Sequence, residues 1–63
     1  MKLFEVGTTV IVPISTNNII KGVVADARPD DWYEPYTIRI EVGNNVFFFN
    51  YPVSKVYKEI EGE

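Results

Sequence analysis

Tyr36-Thr-Ile-Arg-Ile-Glu-Val42, Gly43-Asn44-Asn45, Val46-Phe-Phe-Phe-Asn-Tyr51 and Pro52-Val-Ser-Lys-Val-Tyr57 run without a break, and the fold turns on them. The first segment alternates apolar and polar residues, the signature of a strand with one buried face. A tight-turn tripeptide follows, then an aromatic strand, a proline-led turn and a last short apolar run. A two-residue turn at Gly43-Asn44 pairs Ile40 with Phe47, Ile38 with Phe49 and Tyr36 with Tyr51. Phe47, Phe49 and Tyr51 then join the aliphatic face, and Phe48 is thrown to the other side beside Arg39. A turn at Asn44-Asn45 keeps that parity. A three-residue turn reverses it and buries Phe48 with Val46, because a shift of one residue flips every side chain. The two-residue turn is favoured, since it aligns every large apolar residue of the third strand.

Upstream, Thr8 to Ile14 reads as a first strand, with Val10, Val12 and Ile14 on one face and Thr9, Ile11 and Pro13 on the other. Pro13 has no amide hydrogen and belongs where the ladder is open. Ser15 to Asn18 is a polar turn in which Asn suits the left-handed conformation. Ile19 to Ala25 is a second strand, and Gly22 within it marks a bend or a close backbone approach. Asp26 to Pro35 holds two prolines and three aspartates and is the longest loop. Tyr51 to Ser54 suits a tight connection of a single helical turn, and Lys55 to Ile60 a short closing strand from which Val56, with Tyr57 as a second candidate, docks on the barrel. The expectation is an all-β chain: a small five-stranded antiparallel barrel with a short helical turn before the last strand, one domain over 1–63.

These spacings resemble a known family. Gly7-x-x-Val10-x-Val12, Gly22-x-Val24, Tyr36-x-Ile38-x-Ile40-x-x-Gly43 and the proline-led turn are similar to the SH3-like small β-barrel, the layout of Tudor, Agenet and KOW-type modules. The resemblance covers about the whole chain and implies a fold and a binding role rather than one activity, because this barrel hosts many unrelated functions. The chain departs from the peptide-binding SH3 type in its short first loop, Ser15 to Asn18, although Trp32, Tyr51 and Pro52 fall near where that groove draws its aromatics. It departs from ribosomal KOW modules in being acidic. The Tudor likeness implies an aromatic cage, for which Trp32, Tyr33 and Tyr36 would supply walls and Asp30 or Asp31 the counter-charge.

Composition narrows the chemistry. The 63 residues include no cysteine and no histidine, which excludes disulfides, thiol catalysis and the commonest zinc ligand and general base. So small a domain is marginal alone, which points to a dense aromatic core, to self-association, or to both. The net charge of −3 opposes a nucleic-acid field. The N-terminal segment shows no secretory pattern and no run is long enough to span a bilayer, so the expected location is cytoplasmic, with no membrane association. No glycine-rich phosphate loop is present, Ser15, Thr16 and Ser54 have no histidine to activate them, and no enzyme is expected. Asp26, Asp30, Asp31 and Glu34 offer hard-cation oxygens, but at no known ligand spacing, so no metal and no cofactor is assigned.

The reading is a non-catalytic protein-binding module that self-associates. Its size alone suggests an accessory or inhibitor protein of the kind encoded by small bacterial or phage genes. Asp30, Asp31, Trp32, Tyr33 and Glu34 form the first candidate surface, with Tyr51, Pro52 and Phe48 beside them, since loop aromatics are favoured interface anchors. The competing structural role makes Trp32 a lid over one barrel end. Phe48, Arg39 and Ile11 are the candidates for self-association. One alternative function is nucleic-acid binding through Lys21, Arg28, Arg39, Lys55 and Lys58. Another is capture of a small ligand, such as a nucleotide, at an oligomer interface.

Overall fold

The computed structural model describes residues 3–59. They form β1 (Thr9–Pro13), β2 (Ile19–Ala27), β3 (Tyr36–Val42), β4 (Asn45–Tyr51), a 3-10 turn (Val53–Lys55) and β5 (Tyr57–Lys58). All pairings are antiparallel within a single sheet of order β4-β3-β2-β1-β5. The mainly-β architecture and the helical turn before the last strand are as the sequence indicates. Among the described residues no pairing joins β4 to β5, so these two strands are the edges of the described sheet. β2 runs two residues further than its apolar run, through Ala27. The closing strand is shorter than expected at two residues, and Ile60 lies outside the described residues.

The hairpin carries the register read from the sequence: Tyr36 opposite Tyr51, Ile38 opposite Phe49, Arg39 opposite Phe48 and Ile40 opposite Phe47. Gly43 takes φ +61° and Asn44 does not follow it to positive φ, the pattern of a type II′ turn. The Ser15–Asn18 turn closes through Ile14 N–H to the Asn18 carbonyl (2.9 Å), with no asparagine at positive φ. The left-handed asparagine expected there is absent because the chain reverses through mutual Ser15/Asn18 backbone bonds instead.

Val10, Val12, Val24, Tyr36, Ile38, Ile40 and Val56 are buried and form one core cluster. The six strand residues among them lie on one face of the sheet, with Leu3, Phe4, Ile20, Ala27 and Tyr51 packed against them. The N-terminal segment packs on that core through Leu3 and Phe4. Phe4 stacks on Tyr36 with ring centroids 6.0 Å apart, and the Tyr36 hydroxyl accepts the Phe4 amide at 2.8 Å. Gly22 lets the strands close: a Cβ there would stand 2.6 Å from Ile38 Cγ2 and 2.7 Å from the Arg39 carbonyl oxygen. Ile14, expected inward, is exposed because it lies past the end of β1. Pro13 pairs with Ile19 on one side, while β5 reaches only Val10 and Ile11 on the other, so the missing amide hydrogen faces an open edge.

Candidate functional site

The loop between β2 and β3 begins where the ladder is disturbed. A register shift between Val24 and Asp26 leaves Ala25 unpaired, the mark of a bulge, and re-aims the chain that enters the loop. Arg28 then holds the loop together. Its amide donates to the Pro35 carbonyl at 2.7 Å, and its own carbonyl accepts the Asp31 amide at 3.0 Å. Its guanidinium donates to Asp26 (2.7 Å), to the Thr37 hydroxyl (2.8 Å) and to the Glu34 carbonyl (2.8 Å). Thr37 passes the connection on, donating to Asn50 of β4 at 2.8 Å.

Asp31 folds the tip. Its Oδ1 accepts the amides of Tyr33 (2.8 Å) and Glu34 (2.9 Å), an aspartate turn that fixes the backbone between them. The Glu34 amide, then that of Tyr33, hold the carboxyl below its ordinary value of 3.8, and Arg28 adds a weaker pull. The tip carries the two most exposed aromatics: Trp32 at 92% and Tyr33 at 83% of their full accessible surface. Trp32 is therefore displayed and does not act as a lid. Trp32 also lines a groove of about 260 Å³ together with Leu3, Pro29, Asp31, Pro35 and Val53.

Asp30, Asp31, Trp32, Tyr33 and Glu34 share this exposed loop. Pro52 leads the 3-10 turn whose first residue, Val53, lines the same groove as Trp32, so the proline-led turn and the Trp32 loop are brought together. Tyr51 is half-buried against the core and tilts against Phe49 (centroids 6.4 Å), which removes most of it from any groove. Tyr36 is fully in the core, so the cage drawn from Trp32, Tyr33 and Tyr36 loses a wall. Leu3, Pro29, Pro35 and Val53 were not singled out from sequence; the only signal was the proline pair bracketing the loop.

Phe48 is exposed on the outer face beside Arg39, as the register demands. Ile11 shares that face but sits on β1, three strand spacings or about 14 Å from β4, so the three self-association candidates do not make one patch. The scattered bases are mostly engaged. Lys21 pairs with Glu59 (3.0 Å), Arg39 with Glu41 (3.6 Å), and Arg28 is held within its loop. Among the described residues no group of three acidic or histidine side chains converges as a metal site, and no helix is long and apolar enough to cross a membrane.

No protein-family model matches the chain, and no curated protein or solved structure matches it.

Proposed function

We propose that this chain is a non-catalytic protein-binding module of the SH3-like small-barrel type, and that it captures its partner through the Trp32 loop. The strand order, the tight β3–β4 hairpin and the 3-10 turn before β5 support the barrel reading. One observation carries the functional reading: Trp32 and Tyr33 stand exposed on a loop that Arg28 and Asp31 already hold in place. An aromatic in water gains most from a partner, and an ordered loop loses little entropy on binding. Asp30, Asp31 and Glu34 surround the pair, so the complementary surface is a basic segment carrying an apolar side chain for the groove.

The nucleic-acid reading is weaker, since Lys21, Arg28 and Arg39 already hold carboxylate partners on an acidic chain. Capture of an anionic small ligand meets the same objection, because the hollow of the outer face brings Lys21 and Arg39 together with Glu41. The test is affinity retention by wild-type, Trp32→Ala and Tyr33→Ala proteins. A partner held by wild type should lose about 30-fold or more in affinity for Trp32→Ala, the cost of removing a hot-spot anchor. Equal retention by all three proteins would end the assignment.

A further inference from the structure

Of the two sheet edges, β5 is two residues long, while β4 runs for seven with an unbroken register against β3. Natural edges of that length are blunted with lysine, proline or a bulge. Residues Asn45 to Tyr51 contain no charge, no proline, no glycine and no bulge. They do carry three phenylalanines, each about half exposed: Phe47 at 45%, Phe48 at 59% and Phe49 at 47%.

We propose that this edge is a self-interface, in which β4 pairs antiparallel with β4 of a second copy about a two-fold axis through Phe48. The hairpin dictates which backbone groups are free. In a two-residue loop the flanking pair, Val42 and Asn45, exchange hydrogen bonds with each other, and the alternation continues along the strand. Asn45, Phe47, Phe49 and Tyr51 thus direct their amides and carbonyls to β3, while Val46, Phe48 and Asn50 direct theirs outward. A two-fold axis at Phe48 makes the outward groups meet: Phe48 bonds its own counterpart, and Val46 bonds Asn50 of the second copy, about six backbone bonds in all.

The side chains agree with that register. On the core-side face Phe47 meets Phe49 of the second copy and Phe49 meets its Phe47, which extends the stacked pair already present within one chain (centroids 6.2 Å) into a four-ring cluster. On the outer face the two Phe48 rings adjoin at the axis. The nearest charges are the two Arg39 side chains, about 14 Å apart across the joined strands and each paired with its Glu41, so like charges are not forced together. A second copy fits this edge because the strand is uncharged and its central residues, Phe47, Phe48 and Phe49, are symmetric about the axis.

Size sets the strength. Each phenylalanine has about 200 Å² of surface, so the three rings offer about 300 Å² per copy; with backbone and Val46 the pair approaches the ~1,000 Å² floor of specific interfaces. The dimer should therefore dissociate on dilution through the micromolar range. The pairing uses up the long edge and leaves only β5 free, so the assembly closes at two copies. It is independent of the Trp32 loop.

The experiment is light scattering and sedimentation from about 1 µM to about 1 mM, with oxidative cross-linking of single-cysteine variants in a chain that has none of its own. Wild type should move from monomer to dimer and go no further. Phe48→Glu should stay monomeric while keeping the wild-type far-ultraviolet spectrum. Phe48→Cys should form a disulfide dimer, since a bonded antiparallel pair holds Cα atoms about 5.5 Å apart. Phe47→Cys should cross-link with Phe49→Cys and not with itself. The proposal is overturned by a monomer at every concentration, by assembly beyond two, by a dimer that persists in Phe48→Glu, or by Phe47→Cys cross-linking alone as readily as Phe48→Cys.

Discussion

Trp32→Ala should leave the fold almost untouched, and the expected size of the effect follows from burial. A tryptophan has about 250 Å² of surface, and less than a tenth of it is covered here, so about 20 Å² of contact is lost. At about 25 cal/mol per Å² that is about 0.5 kcal/mol, or a fall of about 2–4 °C in melting temperature for a domain this size. Tyr36 gives the contrast, at 2% exposure and with Phe4 stacked on it. Tyr36→Ala should cost about 3–5 kcal/mol, comparable with the whole stability of a small domain. Thermal and urea unfolding of both variants measures the difference. Trp32 is the only tryptophan, so its fluorescence reads the loop directly: water-like emission and unimpeded quenching by neutral acrylamide are expected. A Trp32→Ala loss above about 2 kcal/mol, or a shielded tryptophan, would mean that the side chain packs in solution and that the loop is a lid.

Gly22→Ala should destabilise by about 1–3 kcal/mol, because the new Cβ meets a backbone carbonyl at 2.7 Å that no rotamer change can move; an unchanged melting curve would contradict the close approach of β2 and β3. The acid response of the loop has a definite sign. Asp31 is lowered below 3.8 by the Glu34 and Tyr33 amides, so its contribution to loop order is complete above that value and is lost as pH falls through the lower folded one. The amide resonances of Tyr33 and Glu34 should titrate with a midpoint below 3.8, and a midpoint at or above it would refute the turn.

The hairpin was legible because two local rules coincide. A period-two pattern from Tyr36 to Val42 needs one face buried, and a glycine-led two-residue turn couples that parity to Phe47, Phe49 and Tyr51. Gly22 was legible for a similar reason, since a glycine inside a β-branched run has few other uses. The bulge at Ala25 carries no such mark, because its cause is the path the chain must take into the loop. Arg28 read as a scattered surface base; only folding brings Asp26, Glu34 and Thr37 around one guanidinium. Trp32 could equally have been core, and its exposure depends on how that loop is held.

By itself, then, the sequence determined the strands, the side-chain parity of the hairpin and the chemistry ruled out by having neither cysteine nor histidine. Those properties depend on residue type and on neighbours a few positions away. Tertiary structure decided which apolar residues are covered. Phe47 and Phe49 share a face with Ile38 and Ile40, yet remain half exposed because β4 has a neighbour on one side only. Burial requires a second surface, and where that surface lies is a property of the folded sheet rather than of any segment within it.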